Sequence, residues 1–238
     1  MESKGEKLET GSQTFDRLLG GGLATRSVTD VYGQAATGKT QFAFQNAVMA
    51  TLKEKSEVPV VFVDCAGSFR PERIAEIAEM RGYSASSALD RISTIYVRSV
   101  AEQQEASERI LSMDQFRKCK LLVVDDVTTN FAAEFGQTKE EGDTFIERYY
   151  ALSTYARKLA YIAITRNLAV LLTNSVRTRI ENSASGYEGE TTGEIISAFT
   201  LFRLHFTKEG AKRRARIVEP FVNYNGAEFS IESSGLVP

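Results

Sequence analysis

Apolar residues recur along the chain in two alternating rhythms. Short continuous runs, Pro59-Val60-Val61-Phe62-Val63, Lys120 to Val124 and Leu168 to Thr173, predict strands buried on both faces, and Ser27 to Tyr32 ending at Gly33 and Ile92 to Val97 predict two more. Between them, apolar positions three and four apart predict helices over Lys39–Leu52, from Pro71 to Gly82, over Val100–Phe116 and over Asp143–Thr165. Strand alternating with helix is the rhythm of an α/β fold, a mainly parallel sheet flanked by helices. After Ile195 the rhythm changes. Phe199–Thr207, Arg213–Glu219 and Ala227–Ile231 read as strands joined by the turns Lys208-Glu209-Gly210 and Asn223-Tyr224-Asn225-Gly226, which predicts a C-terminal antiparallel extension on one edge. There is no internal repeat and no low-complexity linker. A single domain over 1–238 is expected, with 1–26 as its lead-in and 198–238 as the antiparallel strands.

Composition narrows the class. With 42% hydrophobic and 25% charged residues among 238, a disordered or fibrous chain is excluded. Two cysteines beside apolar runs and a single histidine, His205, exclude a disulfide framework and a Cys/His zinc site. The longest apolar stretches are four or five residues, against the ~20 of a membrane helix. The start, Met1 to Lys7, has no apolar segment of the signal-peptide type. A cytoplasmic protein with no membrane contact is expected. The net charge of −2 lacks the basic excess of a dedicated nucleic-acid binder, so any such role needs a local patch or a partner.

The strongest chemical signal is Gly33-Gln34-Ala35-Ala36-Thr37-Gly38-Lys39-Thr40, which matches G-x-x-x-x-G-K-[ST] between a predicted strand and a predicted helix. Glycines let the backbone wrap a phosphate, and successive N–H groups and the helix N-terminus then face its charge. Lys39 reaches the β- and γ-phosphates and Thr40 offers its hydroxyl to Mg²⁺. Leu121-Leu122-Val123-Val124-Asp125 is an apolar strand ending in a carboxylate, the pattern that holds the metal of a P-loop site. Asp125 directly ends the run and is preferred over Asp126 for that role. ATP and Mg²⁺ are the expected cofactors.

Several further segments carry a resemblance. Thr10-Gly11-Ser12, Phe15 to Leu23, Gly38-Lys39-Thr40-Gln41, Phe69-Arg70-Pro71-Glu72-Arg73, Thr173-Asn174, Gly193 to Ile196, Arg216 to Pro220 and Glu228 to Ile231 together resemble the core of the RecA-like recombinases of archaea and eukaryotes. The chain begins at that core, a layout similar to the archaeal RadB-type paralogues. The resemblance implies a RecA-like P-loop core, Arg70 against the adenine, Gln41 beside the phosphates and Pro220 over a neighbour's ATP. It implies a role in homologous recombination and DNA repair, with a RecA-like recombinase or another paralogue as partner and weak contact with single-stranded DNA. Two departures matter. The family's Asp-x-Glu-Gly-x-Phe-Arg-Pro-Glu-Arg segment positions the attacking water with its Glu. Here it is Asp64-Cys65-Ala66-Gly67-Ser68-Phe69-Arg70-Pro71-Glu72-Arg73. Ala66 can neither orient water nor accept a proton, so slow hydrolysis is expected. The family's Gln that links the γ-phosphate to a DNA loop is here Ser175, too short for that reach. An active DNA-dependent or KaiC-like ATPase, and a nucleotide-independent scaffold binding a recombinase, stay open as alternatives. No Phe-x-x-Ala tether is visible at the N-terminus, so a small hetero-assembly is expected over a long self-filament.

Charge weighs against a recombinase-like grip on DNA. The first DNA loop is expected near 131–148, with Lys139 and Arg148 against five acidic residues, and the second near 176–194, with Arg177 and Arg179 against four. Negative loops oppose phosphate contact. The opposite balance holds over Arg203–Arg216, where Arg203, Lys208, Lys212, Arg213, Arg214 and Arg216 face only Glu209, on a predicted hairpin. This run is either a solvated turn or a contact for DNA or an acidic partner. His205 is expected to be structural, and Tyr149, Tyr150, Tyr155 and Tyr161 are expected to pack in the core.

Overall fold

The computed structural model describes residues 5–53, 57–135, 142–176, 193–220 and 226–238. The elements run in chain order β1 (Lys7–Leu8), α1 (Gln13–Leu18), β2 (Leu23–Ala24), β3 (Ser27–Gly33), α2 (Lys39–Lys53), β4 (Val60–Asp64), α3 (Pro71–Met80) and α4 (Ala85–Leu89). They continue with β5 (Ile92–Tyr96), α5 (Val100–Ser112), β6 (Leu121–Asp125), α6 (Thr129–Phe135), α7 (Gly142–Arg166), β7 (Ala169–Ser175) and α8 (Gly193–Ser197). The C-terminal strands are β8 (Phe202–Glu209), β9 (Lys212–Glu219), β10 (Ala227–Glu232) and β11 (Gly235–Val237).

Nine strands form one sheet in the order β11-β10-β9-β8-β3-β7-β6-β4-β5. From β8 to β5 all neighbours are parallel. From β8 outward to β11 they are antiparallel. This is the α/β architecture with a C-terminal antiparallel extension that the apolar rhythm implies. The central strands β4 and β6 are buried at every residue, which explains their unbroken apolar runs. One face of the sheet packs on α1, α2, α3 and α4, and the other on α5, α6, α7 and α8.

The lead-in is part of the core. Phe15 on α1 is fully buried, with its ring 4.8 Å from Phe42, 5.3 Å from Phe229 and 5.7 Å from Phe206. Burying such a ring contributes about 1.5–3 kcal/mol. It ties α1 to the P-loop helix and to strands β8 and β10. Short elements escape a periodicity reading because two to seven residues carry no measurable period. β1, β2, α1, α4, α6, α8 and β11 are all of this kind.

Three expectations are corrected. The first DNA loop placed at 131–148 is, among the described residues, mostly helix. Phe131 is buried within α6, and Arg148 is buried within α7 and offers no surface charge. Lys139, Glu140 and Glu141 lie outside the described residues. So does nearly all of the second loop, 177–192. Of the four tyrosines on α7 only Tyr155 is buried, while Tyr149, Tyr150 and Tyr161 are 45%, 66% and 56% exposed. The reason is angular. At 100° per residue, Tyr150 and Tyr161, with Ile146 and Ile164, fall on the opposite side of the helix from Leu152, Tyr155 and Leu159, which meet the sheet. Strand β8 starts at Phe202 rather than Phe199, because residues 193–197 form α8 and Phe199 and Thr200 close the turn after it.

Candidate nucleotide site

The site sits at the carboxyl ends of the parallel strands, where β3 hands over to α2. Gly33 ends β3, and the loop 34–38 turns the chain into the helix that opens at Lys39. A Cβ on Gly33 would stand 2.1 Å from the Phe206 carbonyl oxygen, so β8 lies against the loop only because residue 33 has no side chain. Gly38 has φ +108°, with carbons of Ile231 and Phe229 at 3.2 and 3.3 Å from its missing Cβ. The loop is braced from within, as Thr37 Oγ1 donates to the Gln34 carbonyl at 2.9 Å.

Lys39 and the carboxylates face one another. Lys39 Nζ donates to the carbonyls of Gly33 (2.8 Å) and Gln34 (2.9 Å). Burial lowers its pKa, and the charges of Asp126 and Asp125 oppose that shift. β7 separates β3 from β6, yet Thr40 Oγ1 on α2 lies 3.2 and 3.1 Å from the two oxygens of Asp125. Thr173 and Ser68 also donate to Asp125. Burial pushes the Asp125 carboxyl above its ordinary range and Asp126 adds to the rise, against the three hydroxyl donors. A carboxylate held ionised against that shift is destabilising unless a cation faces it. The donor set suits a hard cation. One carboxylate and one hydroxyl beside a phosphate cradle are what Mg²⁺ needs when phosphate oxygens and water complete its shell. Among the described residues no group of three His, Cys, Asp or Glu side chains forms a protein-only metal cage.

Asn in place of Asp125 removes the buried charge and keeps the shape. It is expected to raise the melting temperature of the nucleotide-free protein, because the buried charge is gone. It is also expected to abolish any gain in nucleotide affinity on adding Mg²⁺. Thermal melts with and without MgATP check both halves.

The loop after β4 reaches Asp125 through Ser68. Asp64 accepts from the backbone N–H groups of Ala66 (3.2 Å), Ser68 (3.0 Å) and Phe69 (3.0 Å). It is committed to folding this loop. Ala66 is exposed on it. Arg70 caps α3, exposed, and donates to the Gly67 and Phe69 carbonyls at 3.0 and 2.8 Å. Its neighbour Arg73 builds the wall that the sequence did not reveal. It donates to Gln41 at 2.7 Å, to the Ser233 carbonyl at 3.0 Å, and to Glu76 and the Glu232 carbonyl. A cavity of about 780 Å³ results, lined by Ala36, Gly38, Lys39, Thr40 and Gln41 with Arg73, Glu76, Arg213 and the β10 end. That size suits a mononucleotide. Gly33, Gln34, Ala35, Thr37, Arg70, Asp125 and Pro220 are not in its lining, although Asp125 meets the lining residue Thr40. Pro220 is exposed after a cis peptide at the far end of β9. Ser175 pairs with Gly33 across β7 and β3, so β7 ends beside the P-loop.

The basic run does not form one patch. Arg203 is 5% exposed, bonded to the fully buried Asp30 at 3.1 Å and to Glu219 at 3.4 Å, and lies over the Tyr32 ring. It is an internal strut and leaves the surface patch. Lys208, Lys212, Arg214 and Arg216 are exposed, with Arg214 near Glu228 at 3.7 Å. His205 stacks on Tyr32 with ring centroids 4.8 Å apart. Both cysteines are buried, and burial pushes the Cys119 thiol up to about 12.

A sheet of this order, with a P-loop sequence after β3 and a buried carboxylate ending β6, defines a RecA-like P-loop core. The Rad51 family model matches residues 3–237, and the chain belongs to that family. It is 33% identical over 228 residues to the DNA repair and recombination protein RadA of Cenarchaeum symbiosum (strain A), an alignment covering 89% of this chain and 53% of that protein. The chain thus spans about half the length of that relative. Among the described residues no helix is long and apolar enough to cross a membrane.

Proposed function

We propose that this chain binds ATP with Mg²⁺, hydrolyses it slowly, and works as a RadB-type recombinase paralogue in homologous recombination and DNA repair. The observation that carries the reading is a complete cradle beside an incomplete water site. Lys39 and Thr40 stand opposite Asp125, while the loop that bears the family's Glu presents Ala66. Bound Mg²⁺ would neutralise phosphate charge. Lys39 would supply a cation to the β- and γ-phosphates, and Thr40 and Asp125 would hold the metal. Asp64 is a poor substitute for the missing base because three N–H donors already occupy its oxygens. General-base assistance contributes ~10²–10⁴-fold to such reactions. With it missing, ATP acts chiefly as a ligand that organises assembly with a RecA-like recombinase or another paralogue. The exposed cations of β9 support weak contact with single-stranded DNA.

Calorimetric titration of ATP in Mg²⁺ tests the cradle. Lys39→Ala is expected to weaken binding about 10- to 100-fold, as for loss of charge-assisted hydrogen bonds. Equal affinity in the variant would remove the P-loop from the binding account. Recombinase capture that is the same in wild type and Lys39→Ala would favour the nucleotide-independent scaffold.

A further inference from the structure

The cations of the β8–β9 hairpin divide between the two faces of the sheet. Side chains alternate along a strand. Lys212, Arg214 and Arg216 share one face of β9, and Arg213, Ala215 and Ile217 share the other. Ala215 is buried in the core with Phe206 and Phe229. Arg213 therefore points to the side of the P-loop helix. Its cross-strand partner on β10 is Phe229, whose ring stands 3.3 Å from the missing Cβ of Gly38. Arg213 lines the same cavity as Gly38, Lys39 and Thr40.

Its hydrogen-bond state differs from that of the other cations there. Arg73 is spent on Gln41, Glu76 and two carbonyls, and Lys39 on two more. Arg213 Nε is buried with no partner among the described residues, and Nη1 reaches only the Ala211 carbonyl, at 3.5 Å. A buried guanidinium N–H without an acceptor is unfavourable until one arrives. The planar fork of Arg matches phosphate oxygens.

We propose that Arg213 is a nucleotide-binding residue of this chain, donating to the phosphates from the side opposite Asp125, and not a member of the surface patch. The proposal rests on the nucleotide reading above. It gives the C-terminal hairpin a sensing role, since a phosphate tail would link β9 to the P-loop of the same chain.

The test is titration of ATP and of adenosine into wild type, Arg213→Ala and Arg213→Lys, with circular dichroism confirming the fold. Arg109→Ala, an exposed cation on α5, controls for net charge. The expected result is a loss of about 10- to 100-fold in ATP affinity for Arg213→Ala. Adenosine affinity stays within about twofold, Lys recovers part of the loss, and the Arg109 variant matches wild type. ATP affinity unchanged in Arg213→Ala, with Lys39→Ala impaired, overturns the proposal and leaves the nucleotide reading standing. Equal losses for ATP and adenosine overturn the phosphate contact. Wild type that binds no ATP overturns the nucleotide reading, and this proposal with it.

Discussion

Glutamate at position 66 is expected to raise ATP turnover about 10²-fold or more over the wild type. The loop that carries residue 66 is held by Asp64 through three backbone donors, none of which depends on the side chain at 66. Ser68 of the same loop touches Asp125. A carboxylate at 66 would stand two residues from the side chain that touches Asp125, on a loop that is already folded. Ala66 is exposed, so the longer side chain enters without displacing the core. The measurement is phosphate release at saturating MgATP, with Ala66→Gln as the control for size and polarity. Gln, which can orient water but cannot accept a proton, is expected to fall well below Ala66→Glu. Equal rates in wild type and Ala66→Glu would mean that the missing carboxylate is not what limits hydrolysis.

The second large effect is structural. Arg203→Ala is expected to cost about 3–5 kcal/mol, because removing one member of a buried ion pair takes the guanidinium away from the other's buried charge. Asp30 is fully buried, and the Arg203 guanidinium joins it to Glu219 and covers Tyr32. For a chain of this size the melting temperature falls by about 2–4 °C per kcal/mol. Adding Asp30→Ala to Arg203→Ala is expected to recover part of that loss, and urea unfolding of the four proteins in the double-mutant cycle gives the coupling. An Arg203→Ala protein as stable as wild type would place this guanidinium among the solvated charges of the hairpin.

The contrast between Arg203 and Arg213 marks how far the sequence could be read. The parallel strands were legible because β4 and β6 are buried throughout and admit no polar residue before their terminal Asp. The P-loop was legible because its spacing is local, eight consecutive residues from Gly33 to Thr40. The charges of 203–216 were not, since a strand displays alternate residues to opposite faces and the face is set by which strand lies alongside. One basic run therefore contains a buried strut, a pocket residue and a solvated row. Arg73 escaped for a related reason. Its partners Gln41 and Ser233 are 32 and 160 residues away in the chain, a distance no local pattern spans. The exposed face of α7 was missed because a 25-residue helix carries apolar residues beyond the stripe that meets the sheet.

ATP affinity and turnover, measured on one purified sample with and without single-stranded DNA, separate an ATP-organised accessory protein from a working ATPase. Mg²⁺-dependent binding with negligible turnover is expected in both conditions. Rapid turnover, stimulated by DNA and lost in Lys39→Ala, would contradict it and make this chain a working recombination ATPase with another group in place of the missing Glu.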